Sequence, residues 1–168
     1  LSEHENAGIY ILEYLRFGFK VGKIVDSYLS DDRVCNINKL VTKINREKHL
    51  LLGIIRFRLL QDNIYYAPIE TQYNTACLLG KHFAERMADQ IFVIHDVKRN
   101  YGVFYDKTKW FMSDIEINGG IEFHEKELFY QELWKQYFES ITIKDRINPK
   151  LQANFMPKKY WKYLIEMK

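Results

Sequence analysis

A chain of 168 residues, 47% hydrophobic and 15% aromatic, carries enough apolar surface to build a core, and its length suits one domain or one domain with a helical appendage. No apolar run approaches the ~18 residues of a membrane span. The first ten residues hold Glu3, His4 and Glu5 without a basic n-region, and the two isolated cysteines, Cys35 and Cys77, make neither a disulfide framework nor a zinc site. These features predict a cytoplasmic protein with free, buried thiols, no membrane association, no metal and no cofactor. The opening at Leu1, without Met, predicts a fragment lacking an N-terminal region.

Net charge is +3 but unevenly placed. Residues 144–168 hold Lys144, Arg146, Lys150, Lys158, Lys159, Lys162 and Lys168 against Asp145 and Glu166, a net of +5 that leaves −2 for the other 143 residues. A basic terminal segment is the pattern expected for an anionic partner.

Residues 5–30 read as one or two helices, with Ile9, Leu12, Leu15 and Phe19 at helical spacing and Gly18 and Gly22 marking a break. Ser30-Asp31-Asp32 supplies an N-cap for a helix over 32–51, whose apolar stripe is Val34, Ile37, Val41, Ile44 and Leu51. At residue 53 the period changes. Residues 53–60 alternate as a strand, Gln61-Asp62-Asn63 turn the chain, and Ile64 to Ile69 return, with Pro68 demoting that end to an edge or a terminus. A three-residue turn sets Leu60 opposite Ile64, Arg58 opposite Tyr66 and Arg56 opposite Pro68.

A helix over 73–88 follows, with Ala76, Leu79, Phe83 and Met87 as its apolar stripe and His82 and Arg86 on another line. Residues 91–97 and 101–105 form a second hairpin around Lys98-Arg99-Asn100, and 106–121 read as irregular. Helix returns over 123–140, where Phe129, Leu133, Tyr137 and Ile141 line up. A short connection follows Pro149, and Pro157 opens a last helix to about 166. The expected fold is α+β: two β-hairpins form a small antiparallel or mixed sheet with helices packed on it. It is read as a single domain, with residues 1–52 helical, 53–106 a hairpin–helix–hairpin core and 107–168 helical and basic.

No complete catalytic motif is present. His95 and Asp96 are strand neighbours that point to opposite faces, so they do not form a His–Asp couple. His49, His82, His95 and His124 show no local metal spacing. Gly119-Gly120 lacks the context of a phosphate loop. Nucleic-acid chemistry has more to work with. Arg56, Arg58 and Tyr66 share one strand face, where guanidiniums pair with phosphates and a ring offers a stacking surface. In the C-terminal segment Lys158-Lys159-Tyr160-Trp161-Lys162-Tyr163 alternates charge with rings. The competing reading is a solvated arginine face and a terminal segment whose rings merely dock it to the core.

Several blocks resemble one bacterial family. They are Gly53-Ile54-Ile55-Arg56-Phe57, Tyr65-Tyr66-Ala67-Pro68-Ile69, His82-Phe83-Ala84-Glu85-Arg86, Ile94-His95-Asp96 followed by Arg99, and Leu133-Trp134 with Tyr137-Phe138. Further on come Arg146-Ile147-Asn148-Pro149, Leu151-Gln152, Met156-Pro157 and Tyr160-Trp161-Lys162-Tyr163-Leu164. In this order they cover the chain from about residue 10 to 165. The family is a domain of unknown function grouped with DNA metabolism. Its members accompany a radical-SAM protein of DNA modification or repair, and some are joined to a uracil-DNA-glycosylase-like domain. The chain itself has no CxxxCxxC cluster motif and no glycosylase motif.

The resemblance implies an accessory DNA-binding protein that works with a radical-SAM or glycosylase-type partner. Its expected nucleic-acid contacts are Arg56, Arg58, Tyr66, Arg86, Arg99, Arg146, Lys158, Lys159, Trp161 and Lys162. Two alternatives stand beside it. One is a nucleic-acid-processing enzyme in which His82, Arg86, His95, Asp96 and Arg99 converge, with His82, His95 and Asp96 as catalytic candidates. The other is a protein-interaction module anchored by aromatics of the 129–138 helix and the terminal segment.

Overall fold

The computed structural model describes residues 5–117 and 119–167. The α+β expectation holds: helices accompany one mixed five-stranded sheet of order β1-β2-β3-β4-β5. The chain forms two compact units, one of residues up to His49 with Gln72–Thr75, the other of Leu50–Thr71 with Ala76 onwards.

In the first unit, α1 (Ala7–Val21) leads into a 3-10 turn (Gly22–Ser27), and α2 starts at Asp32. Gly22 takes φ +72, the left-handed backbone that ends α1 at the expected break. The core here is Phe17, Val25 and Val34, with Tyr14 and Val21 packed against it. The line Ile9, Leu12, Leu15 and Phe19 is exposed, Phe19 at 89%. In α2 Leu40 is buried and Val41 exposed, so the inward stripe runs one residue earlier than expected there. Glu47 is also buried. Its carboxylate accepts from the backbone N–H groups of Gln72 and Tyr73, tying down the 72–75 loop.

The second unit holds the sheet. α2 continues to Ile54, so residues 53–54 are helical and β1 is only Arg58–Leu59. The apolar run Leu50-Leu51-Leu52 carries the helix on, burying Leu51, and Gly53 sits where open space surrounds it. β2 (Tyr65–Ile69) pairs antiparallel to β1 in the expected register, Arg58 opposite Tyr66. β2 is parallel to β3 (Phe92–Asp96), and the crossover carries a 3-10 turn (Ala76–Leu78) and α3 (Gly80–Arg86) in place of one long 73–88 helix. Tyr65 N–H bonds toward β3, so Pro68, three residues on, turns its missing donor to the opposite edge, where β1 has ended.

β4 (Tyr101–Tyr105) returns antiparallel to β3, and β5 (Trp110–Asp114) pairs with β4, where an irregular stretch was expected. An Asp106 turn makes this last strand possible. Its carboxylate accepts from Thr108 Oγ1 and from the N–H groups of Thr108 and Lys109, bonds that hold its pKa down at about 2. Downstream lie α4 (Glu127–Ile141) and α5 (Pro149–Phe155), then 3-10 turns over Lys158–Tyr163 and Ile165–Met167. α5 occupies the expected connection. Asn148 caps it by accepting from Leu151 N–H, with Pro149 in the first turn. The last helix is replaced by the two 3-10 turns.

One sheet face is the core. Phe57, Phe83, Phe92 and Tyr105 meet at centroid distances of 5.1–6.4 Å, and Leu51, Ala67, Ile94 and Val103 fill the remainder. α3 approaches this layer so closely that a Cβ on Gly80 would lie 2.6 Å from the Trp110 ring.

Candidate functional site

Sheet register gathers the chemistry on the other face. Cross-strand partners place Arg58, Tyr66, Val93, Phe104 and Phe111 in one row across all five strands. The next row is Pro68, His95, Gly102 and Ser113. Over β4 and β5 the face is partly accessible, with Phe111 and Ser113 exposed, Phe104 half-buried and Gly102 buried beneath the Ile115 side chain. Phe104 and Phe111 stack nearly parallel, 9° between planes with centroids 5.6 Å apart.

Over β1 and β2 the same face is occupied. Arg58 Nη2 donates to the carbonyl of Tyr163 at 3.3 Å, and its Nε is buried with no hydrogen-bond partner among the described residues. Tyr66 is buried, and its hydroxyl lies 2.8 Å from His95 Nδ1. Burial, then the nearby Tyr163, pushes the Tyr66 pKa to about 12, with Arg58 opposing. The phenol therefore stays protonated and shares a hydrogen bond with Nδ1 whose direction follows the imidazole tautomer. The other ring nitrogen, Nε2, is buried with no partner among the described residues. Burial lowers the His95 pKa, and Asp96 only partly offsets it, so the ring is neutral.

Asp96 belongs to the core side, separate from His95. It accepts from Thr71 Oγ1 and Arg99 Nη1, both at 2.6 Å, and Arg99 also reaches the Thr71 carbonyl at 3.1 Å. The side chains of this pair are 12% and 0% exposed, a buried structural bond. His82 and Arg86 are exposed on α3. Strand and helix thus assign His82, His95 and Asp96 to three different environments.

Arg56 is also engaged. Its Nη2 and Nε donate to Glu166 at 2.6 and 3.3 Å, and the guanidinium carbon lies 4.9 Å from the Trp134 ring centre. Trp134 Nε1 donates to the same carboxylate at 2.9 Å. Beside them a cavity of about 300 Å³ is lined by Arg56, Phe57, Leu59, Tyr65, Glu127, Tyr130, Gln131, Trp134 and Ile165. Glu127 already accepts there from Leu59 N–H at 2.7 Å and Gln131 Nε2 at 2.8 Å.

In the terminal segment Tyr160 and Leu164 are buried while Lys158 and Lys159 are exposed, as is Arg146 further back. Trp161 is half-buried and donates to the Met156 carbonyl at 2.7 Å. Lys162 pairs with Glu70, which also accepts from Tyr163 at 3.1 Å. The rings dock the segment, Lys162 pairs with Glu70, and the exposed Lys158 and Lys159 lie over the Trp161 and Tyr160 rings, 5.8 and 4.6 Å from their centres.

Sequence reasoning singled out neither Phe104 and Phe111 nor Glu166. Period-two alternation over 101–105 and the Trp110-Phe111-Met112 run were the available signals for the first two. Glu166 was counted only as a charge. Among the described residues no group of three or more His, Cys, Asp or Glu is placed to hold a metal, and no helix is long and apolar enough to cross a membrane.

A mixed sheet with one helix-packed face and one face bearing a transverse row of rings and a guanidinium defines the class as an α+β domain. The chain belongs to the family DUF4130, described as a domain of unknown function, whose model matches residues 5–166. No match was found among curated proteins or among solved structures.

Proposed function

We propose that this chain is an accessory DNA-binding protein of DNA metabolism, modification or repair, acting with a radical-SAM or glycosylase-type enzyme. The observation that carries it is the construction of the terminal segment. Tyr160 and Leu164 anchor it, and Lys158 and Lys159 remain exposed. Held cations of this kind neutralise phosphates without reordering the backbone. The resemblance to a family grouped with DNA metabolism points the same way.

The test is DNA binding across a salt series with the full chain. Log affinity should fall steeply with log salt, and K158E/K159E should weaken binding and flatten the slope by roughly two. Affinity indifferent to both salt and these substitutions would remove the proposal.

A second reading has its own support. Phe129, Leu133, Tyr137 and Ile141 are all exposed on α4. An apolar ridge of this size suits a protein partner, and the radical-SAM enzyme is the candidate. Co-purification lost on Leu133→Lys, with DNA binding unchanged, would assign the ridge to that partner.

A further inference from the structure

We propose that Phe104 and Phe111 form a stacking platform for an unpaired base of single-stranded DNA, with Lys107 and Lys109 receiving the adjoining phosphates. This rests on reading the chain as DNA-binding and names the form of DNA recognised.

A cross-strand aromatic pair by itself stabilises a hairpin. Three observations go further. First, the rings lie 9° from parallel, and Phe111 is 44% exposed. The outer ring of this stacked pair, Phe111, keeps surface open to solvent, as stacking with an extruded base requires. In a duplex the same base is already stacked and does not reach the sheet.

Second, charge complementarity is local. The β4–β5 turn carries Lys107 and Lys109, both exposed. Lys107 lies three residues from Phe104, at most about 10 Å along the chain. The one acid in the turn, Asp106, is occupied by bonds to Thr108 and Lys109.

Third, Lys107 sits at φ +77. A lysine there is strained, and glycine or asparagine would relieve it. The turn keeps a cation at a position where backbone energetics favour another residue, and such strain collects at functional positions.

The experiment measures binding of the full chain to a labelled oligothymidine and to a duplex of equal length. Variants are Phe111→Leu, which keeps apolar bulk but loses the ring, Phe111→Tyr, which keeps the ring, and Lys107→Gly. Phe111→Leu should weaken single-strand binding roughly tenfold, with duplex binding unchanged and Phe111→Tyr close to the parent. Lys107→Gly should raise the thermal midpoint while weakening single-strand binding, opposite signs that a merely structural turn would not give. If Phe111→Leu binds single strands like the parent while K158E/K159E loses binding, the platform is overturned and the DNA-binding reading stands. If the unaltered chain binds neither DNA at low salt, both are overturned.

Discussion

Replacing Glu166 with alanine tests how the basic segment is held. The carboxylate accepts three hydrogen bonds, from Arg56 Nη2 at 2.6 Å, Arg56 Nε at 3.3 Å and Trp134 Nε1 at 2.9 Å. The ion pair's side chains are 19% and 1% exposed for Arg56 and Glu166. Breaking a fully buried pair costs about 3–5 kcal/mol, because the surviving charge is stranded. Arg56 is better placed than that. It keeps some solvent, and its Nη1 also donates to the carbonyls of Gly53 and Ile55 at 3.1 and 3.3 Å. The cost is then roughly 2–3 kcal/mol, or about 5–10 °C in thermal midpoint for a chain of this size. Circular dichroism melts of the parent, Glu166→Ala, Arg56→Met and the double variant measure it. The double variant should recover roughly half of the summed losses, since neither charge is left alone. The pair also has a pH signature. Burial pushes the Glu166 pKa up, but bonds from Arg56 and Trp134 prevail and hold it below its ordinary 4.5. This stabilisation is full above that value and fades as pH falls through the folded pKa, so parent and Glu166→Gln should converge in acid. A midpoint for Glu166→Ala within about 1 °C of the parent, or additive single losses, would refute the reasoning.

Gly80→Ala should destabilise by about 1–3 kcal/mol, because its Cβ would lie 2.6 Å from a Trp110 ring atom. Trp110→Leu in the same chain should return part of that loss in a denaturant titration, and equal losses in both backgrounds would count against the contact. The His95 pKa is depressed below its ordinary 6.5, chiefly by burial. As pH falls below 6.5 the unfolded chain takes up the proton first, so stability declines from there down through the folded pKa. His95→Gln should flatten that decline in midpoints measured from pH 7.5 to 5.5, whereas parallel curves would contradict it.

What the sequence disclosed depended on how each periodicity constrains geometry. Two-residue alternation around a short turn admits one pairing, so Arg58 opposite Tyr66 was legible, and with it the separation of His95 from Asp96. Helical faces were harder. Each residue advances about 100°, so an i, i+4 line such as Phe129, Leu133, Tyr137 and Ile141 winds about 120° around α4. Glu127, Gln131, Trp134 and Phe138 advance eleven residues, just over three full turns, and run nearly straight along the axis. That straight line is the buried or half-buried one. α1 repeats the lesson: Tyr10, Tyr14, Phe17 and Val21 share a straight stripe and are buried or half-buried, while the more hydrophobic Ile9, Leu12, Leu15 and Phe19 are exposed. β5 was hidden for another reason. An edge strand with exposed Trp110 and Phe111, bracketed by lysines and Asp114, has the composition of a loop. Its pairing depends on the Asp106 turn, a local hydrogen-bond device without hydrophobic signature.

The outward ridge of α4 is held there by polar bonds. Glu127 accepts from Leu59 N–H and Gln131, and Trp134 donates to Glu166. Rolling the helix to bury Phe129, Leu133 and Tyr137 would leave β1's amide, a carboxylate and an indole N–H without partners. Each orphaned group costs about 1–3 kcal/mol, and more when charged. Burying three such side chains would stabilise by roughly 1.5–3 kcal/mol apiece, so the two terms are comparable, and rotation gains little. The apolar ridge is therefore available to a second protein without rearrangement of the helix. That arrangement supports the proposed division of labour, in which one surface meets DNA and α4 meets a partner enzyme.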